Sequence, residues 1–255
     1  MSKEREVAER AAHAGGEILK KYFEQPIASE QKSDYSFVTK ADKESEAEVL
    51  RVIKESFPDV SVLGEECGSV AGTSDDRWVI DPLDGTANFM NAIPVFCVSL
   101  ALVRAGSVIV AVIYNPITET LFCAEAGGGA WCNGAPMTVS DDTKKNVVVT
   151  FGKSSKREDG EGVNTLFVEM QRAGFRVRYL GSAALELAYL ARGGTDGYVN
   201  LGTNLWDYAA GVLLVQEAGG TITTLDGGKW NLDEQYFVAS NGKIHPTLVS
   251  KTKLV

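Results

Sequence analysis

The sequence is poor in histidine and cysteine. His13 and His245 are the only histidines among 255 residues, and no Gly-x-Ser-x-Gly motif accompanies them. Their scarcity excludes a serine hydrolase of the nucleophile-elbow type and a metal site built on several histidines. The four cysteines form no Cys-x-x-Cys pair, which excludes a zinc ribbon and a thioredoxin-like redox motif.

Positive charge is also scarce, because 25 Lys and Arg stand against 34 Asp and Glu and give a net charge of −9. Nucleic-acid-binding proteins carry a basic stripe, so we expect no nucleic-acid partner. The chain has no Asn-x-Ser/Thr sequon, and the charged residues 1–10 do not resemble a signal peptide. These features predict a reduced, cytoplasmic protein.

A long uncharged stretch runs over residues 85–103 and has nearly the length of a membrane span. It contains Asn88, Asn91 and Pro94, and a second apolar run follows Gly106. A buried β-hairpin over 95–104 and 108–114 explains this pattern better than a spanning helix. We therefore expect no membrane partner.

Hydrophobic spacing predicts two helices at the start of the chain, over 2–25 and 40–57. After the hairpin and a strand over 120–124, the second half alternates strands with helices. The predicted strands are 147–150, 175–179, 197–200, 221–224 and 237–239, and the helices are 163–173, 183–191 and 206–218. Layered sheets and helices of this kind are typical of an α/β or α+β fold. We expect a single unit over 1–255, with about 1–145 and 146–255 as candidate subdomains.

Two short apolar runs, over 60–64 and 78–81, each end in acids, and the predicted helix over 206–218 begins beside another. The three groups are Gly64-Glu65-Glu66, Asp81-Pro82-Leu83-Asp84-Gly85-Thr86 and Trp206-Asp207. Each acid alone is typical of a turn or a helix cap. No Lys or Arg lies within the first two groups, and a buried carboxylate is costly without a partner. As a set, these oxygen ligands favour a hard divalent cation such as Mg²⁺ or Mn²⁺.

The second acidic group also offers a phosphate-binding turn. Gly85 and Thr86 supply backbone N–H groups and a hydroxyl, and a helix that starts there can hold a phosphate at its N-terminus. A metal site beside such a turn indicates metal-assisted phosphoryl transfer to water.

The three motifs together resemble the inositol monophosphatase family. The segment Asp81-Pro-Leu-Asp-Gly-Thr-Ala-Asn-Phe89 follows Gly64-Glu65-Glu66 and precedes Trp206-Asp207-Tyr-Ala-Ala-Gly211, and the match extends back to Val38-Thr39-x-x-Asp42. The resemblance implies a layered αβαβα sandwich and a homodimer. It also implies a lithium-sensitive phosphatase that uses two or three Mg²⁺ ions on a small phosphorylated polyol or sugar, with inositol-1-phosphate as the first candidate.

The resemblance further implies a role for each site residue. The implied metal ligands are Glu65, Asp81, the carbonyl of Leu83, Asp84 and Asp207. Asp42 and Thr86, together with Glu65, are implied to orient and polarise the attacking water. The implied substrate-binding residues are Gly85, Thr86, Gly181, Ser182 and Ala183. Lys32 lies in a stretch similar to the family's metal-binding loop, which is one residue shorter here, and Glu66 is expected to support the ligands.

One departure from the family pattern concerns specificity. Inositol-preferring members resemble Tyr-Phe-Glu where this chain has Tyr198-Val199-Asn200. Asn200 is therefore predicted to contact the alcohol of the substrate with a neutral amide, which can accept varied polyols. Fructose 1,6-bisphosphate and histidinol phosphate are the alternative substrates. A non-catalytic regulatory binding protein on the same fold is the alternative class.

Overall fold

A computed structural model of the chain describes residues 1–32, 37–141, 146–153 and 160–252. The helices are α1 (Lys3–Tyr22), α2 (Lys40–Ser56), α3 (Thr86–Met90), α4 (Gly160–Arg172), α5 (Ala183–Ala191), α6 (Leu205–Glu217) and α7 (His245–Thr252). The strands of the first half are β1 (Ser29–Gln31), β2 (Phe37–Thr39), β3 (Ser61–Gly64), β4 (Gly68–Val70), β5 (Arg77–Asp84), β6 (Cys97–Arg104), β7 (Ser107–Asn115), β8 (Thr120–Glu125), β9 (Gly129–Cys132) and β10 (Ala135–Pro136). Those of the second half are β11 (Val148–Lys153), β12 (Arg176–Arg178), β13 (Gly197–Leu201), β14 (Thr221–Thr224) and β15 (Tyr236–Ser240).

Two large sheets organise the chain. An eight-stranded sheet has the order β10-β9-β8-β7-β6-β5-β3-β4, and a five-stranded sheet has the order β12-β11-β13-β15-β14. Helices α1 and α2 cover one face of the larger sheet, α5 and α6 lie between the two sheets, and α4 and α7 cover the far face of the smaller sheet. The predicted αβαβα sandwich is confirmed.

The first helix shows how the sequence determines this packing. The Ser2 side chain caps α1 by accepting the N–H of Arg5 at 3.2 Å, and acids in the first turn with lysines in the last favour the helix dipole. Gly15 and Gly16 do not interrupt the helix. A Cβ on Gly15 would lie 2.8 Å from Val49 of α2, and one on Gly16 would lie 2.7 Å from the Tyr114 ring. The glycines therefore allow close packing on both neighbours.

Other predictions differ from the structure where elements are short. The predicted hairpin is confirmed as β6 and β7, which pair antiparallel. The short strand β1 was not predicted, and it pairs antiparallel with β2. Within the described residues, no helix combines the length and the hydrophobicity that a membrane crossing requires.

Candidate active site

The first two acidic groups meet because their strands are parallel neighbours. β3 pairs with β5 in parallel, and the N–H of Glu65 donates to the carbonyl of Ile80 at 3.1 Å. The carboxyl ends of parallel strands lie at one edge of a sheet. Glu65 therefore lies next to Asp81, as the sequence predicts. Beyond Asp81 the register of β5 shifts against β6, which brings Asp84 to the same edge.

Three carboxylates converge at this edge. One oxygen each from Asp81, Asp84 and Asp207 lies within 4.8 Å of the others. Asp207 comes from the first turn of α6, where its carboxylate accepts the N–H of Asn204 at 2.7 Å. The Asp81 carboxylate accepts the N–H of Leu83 at 2.9 Å and so fixes the turn between the two strand acids. The first turn of α6 and the end of β5 thus bring the three carboxylates together.

These carboxyls hold protons more tightly than free acids do. Burial, and then the negative charges of Glu65, Asp84 and Asp207, raise the pKa of Asp81 well above its usual range. Burial raises the pKa of Asp84 to about 6, although hydrogen bonds from Ser182 and Ala184 oppose the rise. Burial also raises the pKa of Asp207 well above its usual range. Bound cations relieve the same repulsion that protons relieve here.

The donor set fits a hard divalent cation. It consists of carboxylate oxygens from Asp81, Asp84 and Asp207, and no Cys or His ligand joins the cluster within the described part of the chain. Mg²⁺ and Mn²⁺ prefer such oxygen ligands, whereas softer metals prefer thiolate and imidazole.

Lys32 forms an ion pair with Glu65, the fourth carboxylate among the expected ligands. Its ammonium lies 2.8 Å from Glu65 Oε1 and 2.5 Å from Glu66 Oε1. Burial raises the pKa of Glu65 to about 7, in spite of the opposing charge of Lys32. The structure thus places Lys32 and Glu66 beside Glu65, and it leaves the Glu65 carboxylate outside the group formed by the three aspartates.

Asp42 and Thr86 also meet as expected. Thr39 and Asp42 form a capping box at the start of α2, in which Asp42 Oδ2 accepts the Thr39 N–H at 2.8 Å and the Thr39 hydroxyl at 2.6 Å. Asp42 Oδ1 lies 3.2 Å from the Thr86 hydroxyl, which is also 3.1 Å from the Leu83 carbonyl. Burial raises the pKa of Asp42.

The turn before α3 requires glycine. Gly85 has a φ of +97°, and a Cβ there would lie 2.8 Å from the carbonyl of Val95. The N–H groups of Gly85 and Thr86 follow directly on Asp84 at the start of this short helix. Their predicted contact with phosphate stays a prediction.

The start of α5 supplies the next part of the site. Asp84 Oδ2 accepts the Ser182 hydroxyl at 2.6 Å and the Ala184 N–H at 2.7 Å, so the turn 181–183 is held against the acids. Glu186 was missed from the sequence. Its Oε1 accepts the N–H groups of Leu180 at 2.6 Å and Gly181 at 3.2 Å. The only signal for it was an acid within an otherwise apolar helix.

A cleft of about 160 Å³ joins these elements. Its lining from the sequence predictions comprises Glu65, Asp84, Gly181, Ser182, Ala183 and Asp207. Its further lining residues are Phe151, Gly152, Lys153, Tyr179, Glu186, Thr203, Asn204 and Trp206. In the second set, Phe151, Gly152 and Lys153 end β11, and Tyr179, Thr203 and Asn204 lie in loops that follow β12 and β13. No sequence motif marked these six residues, whereas Trp206 belongs to the third acidic group.

Asn200 does not line this cleft. The residue is 0% exposed, and its Oδ1 accepts the hydroxyls of Tyr198 at 2.6 Å and Thr203 at 2.8 Å. Its Nδ2 donates to the Gln235 carbonyl at 2.7 Å. A Cβ on Gly152 would collide with the Tyr198 hydroxyl, so the neighbouring strand also closes on this network. The predicted contact of Asn200 with the alcohol gains no support, because β13 is covered on both faces.

Replacing Asn200 with Ala should therefore lower stability and leave the ratio of activities on different substrates unchanged. The loss of three buried hydrogen bonds should cost about 2–4 kcal/mol, and the melting temperature should fall by about 5–15 °C. Asn164→Ala, at an exposed position of α4, is the matched control. An unchanged melting temperature with a shifted substrate ratio would restore the specificity role.

The chain is similar over almost its whole length to known proteins. Residues 1–254 match the inositol monophosphatase family. Inositol-1-monophosphatase from Mesorhizobium japonicum is 37% identical over 253 residues, which cover 97% of this chain and 94% of that protein. Nus factor SuhB from Escherichia coli K12 is 39% identical over 256 residues, which cover 97% and 94%.

Solved structures include the extragenic suppressor protein suhB from Bartonella henselae. It matches with a TM-score of 0.93 at 33% identity, and the match covers 99% of each chain. The sequence, the acid cluster and the fold lead to one assignment: the chain belongs to the inositol monophosphatase family.

Proposed function

We propose that the protein is a Mg²⁺-dependent phosphomonoesterase that hydrolyses a small polyol or sugar phosphate, with inositol-1-phosphate as the first candidate. The observation that carries the proposal is the convergence of Asp81, Asp84 and Asp207, of which the last two line the cleft. Three carboxylates at one point suit cations, and the cleft leaves room for the alcohol of an ester.

Glu65, Asp81, the Leu83 carbonyl, Asp84 and Asp207 would hold two or three Mg²⁺ ions, or Mn²⁺ in their place. A bound divalent cation supplies a Lewis acid for phosphoryl oxygens and lowers the pKa of a water molecule. The Lys32 ammonium, 2.8 Å from Glu65 Oε1, would have to leave that oxygen before a cation could take it.

The residues around Thr86 would handle the proton of the attacking water. The Thr86 hydroxyl donates to Asp42 Oδ1 or to the Leu83 carbonyl, so its own lone pairs remain available to accept a water proton. Asp42 is fixed by the capping box and so holds the hydroxyl in one orientation. The N–H groups of Gly85 and Thr86 would bind phosphoryl oxygens.

A phosphatase assay tests the proposal. Inositol-1-phosphate, fructose 1,6-bisphosphate, histidinol phosphate and a nucleotide monophosphate are compared with Mg²⁺ and with EDTA. We expect release of phosphate from at least one polyol or sugar ester in Mg²⁺, and loss of that activity in EDTA, because the acid cluster needs cations. Equal turnover in EDTA would contradict the role of the metal. Absence of turnover on every ester would contradict the proposed phosphatase activity.

A second candidate is a regulatory binding protein on the same fold. The observation in its favour is that relatives 39% identical to this chain carry the name Nus factor SuhB. The net charge of −9 disfavours direct contact with RNA, so the partner would be a protein. An inactive purified protein in the assay above would favour this candidate.

We further propose a cytoplasmic homodimer. All four cysteines are free thiols, which fits a reducing compartment. The dimer rests on the family resemblance, and light scattering of the purified protein tests it.

A further inference from the structure

Three polar side chains of α2 are buried on one face of the helix. Asp42 and Ser45 are 0% exposed and Glu46 is 4% exposed, and their spacing of three and four residues places them side by side. Val49 continues this face and is also buried. A buried polar group is costly unless it is hydrogen-bonded, so a face that served only for packing would be apolar. The hydrogen-bond partners of these side chains therefore indicate what the face does.

Ser45 acts on Asp81 through one peptide group. Its hydroxyl donates to the carbonyl of Pro82 at 3.1 Å. The N–H of Leu83, which belongs to the same peptide group, donates to Asp81 Oδ1 at 2.9 Å. This peptide group is trans, so it is planar and its carbonyl and N–H point in opposite directions. The hydrogen bond from Ser45 therefore fixes the orientation of the N–H that holds the Asp81 carboxylate.

Glu46 acts on Glu65 in a similar way. The N–H of Glu65 donates to the Ile80 carbonyl, and the N–H of Glu66 donates to Glu46 Oε1 at 3.1 Å. The peptide groups on both sides of the Glu65 Cα are therefore held, and with them the two backbone dihedral angles that set the direction of its side chain. A Cβ on Gly64 would collide with the Glu46 carboxylate, so α2 lies directly against this turn.

We propose that Ser45 and Glu46 are positioning residues for the expected metal ligands. Ser45 orients Asp81, and Glu46 orients Glu65, each through the peptide group described above. Neither side chain touches a cation or the substrate. Both keep a carboxylate in place before a cation binds, which reduces the cost of ordering the ligands on binding. This inference rests on the proposed metal-dependent function and specifies how the fold prepares its cation site.

Cation binding by the metal-free protein tests the proposal without any substrate. Calorimetry of protein freed of metal with EDTA and then dialysed measures the dissociation constant for Mn²⁺. Ser45→Ala removes only the hydroxyl and should raise that constant about tenfold, since loss of a group that orients a metal ligand costs about 10–100-fold in metal affinity. Glu46→Leu should have an effect of similar size. Glu46→Gln keeps an accepting oxygen and should bind Mn²⁺ nearly as the wild type does.

Thr252→Val is the matched control. Thr252 is a buried residue of α7, its hydroxyl donates to the Leu225 carbonyl at 2.6 Å, and α7 lies on the far face of the smaller sheet. Loss of this hydroxyl should lower the melting temperature in EDTA, as loss of the Ser45 hydroxyl should, but it should leave Mn²⁺ binding unchanged. The comparison separates a positioning role from a role in stability alone.

An unchanged Mn²⁺ dissociation constant in Ser45→Ala would overturn the role of Ser45. Equal binding by Glu46→Leu and the wild type would overturn the role of Glu46, and so would equally weak binding by the Leu and Gln variants. If Glu46→Leu does not fold, Ser45→Ala decides the proposal. In each case a wild type that binds Mn²⁺ and hydrolyses its ester retains the proposed function. A wild type that binds no Mn²⁺ would reject the metal site and the positioning role together.

Discussion

Replacing Asp81 with Asn is expected to abolish the Mg²⁺-dependent phosphatase activity while making the metal-free protein more stable. Loss of a residue that merely supports a metal ligand costs about 10–100-fold in activity or metal affinity, and Asp81 lies in the acid cluster itself. For a residue of the cluster we expect a larger effect than for a supporting residue, a loss of about 10³-fold or more in kcat/KM. The rise in melting temperature that Mg²⁺ is expected to produce in the wild type should largely disappear, because Mg²⁺ stabilises the folded protein only by binding to it.

The gain in metal-free stability follows from charge. Burial raises the pKa of Asp84 to about 6 and that of Glu65 to about 7, so both carboxyls are ionised at about pH 8 and repel Asp81. A neutral Asn removes that repulsion, and its Oδ1 can still accept the Leu83 N–H. Thermal melting in EDTA measures the gain. Asp75→Asn, at an exposed position, is the control and should change neither melting nor activity. Near-normal Mg²⁺-dependent turnover in Asp81→Asn would reject the metal assignment.

Thr86→Ala is expected to lower kcat by about 10²-fold or more, the range typical of assistance to proton transfer. Its hydroxyl lies between Asp42 Oδ1 and the Leu83 carbonyl, and Ala removes that hydroxyl without removing either neighbour. KM should change less than kcat, since the backbone N–H at position 86 remains. Steady-state kinetics on the preferred ester measure both constants.

Thr86→Ser provides the matched control, because it keeps the hydroxyl and loses only a methyl group. It should retain most of the wild-type kcat. If Ala and Ser variants turn over alike, the hydroxyl has no part in the reaction. Circular dichroism should show intact folding for both, because Thr86 is half-buried and the buried residue of its helix, Phe89, is unchanged.

Much of the site could be predicted because its residues are near each other in sequence or follow neighbouring strands. Asp81 and Asp84 are separated by one tight turn, and Glu65 follows the strand that pairs with β5. Asp207 is distant in sequence, and only the family resemblance linked it to the others. The long helices and strands were predicted from their hydrophobic period. β1, β2 and α3 were not, since three to five residues carry no period.

The residues around the alcohol could not be predicted in this way. Asn200 lies in a strand that is covered on both faces, so the strand shows no alternation of apolar and polar residues. The sequence therefore does not indicate which neighbours form hydrogen bonds with Asn200. The structure shows that Tyr198, Thr203 and Gln235 fill them. Lys153 and Tyr179 line the same cleft because β11 and β12 are adjacent and parallel. That adjacency is tertiary information.

The hydrogen bonds of Asp42 and Asp207 at the starts of α2 and α6 predict which site residues an inactive member of the family would keep. Each carboxylate accepts a backbone N–H of the residue that precedes its helix, so each has a folding duty that is independent of phosphate chemistry. A descendant that no longer hydrolyses esters would still be selected to keep both acids. Thr86 has no such duty beyond its contacts with Asp42 and Leu83. Position 86 is therefore a better marker than the acids for separating working enzymes from inactive descendants.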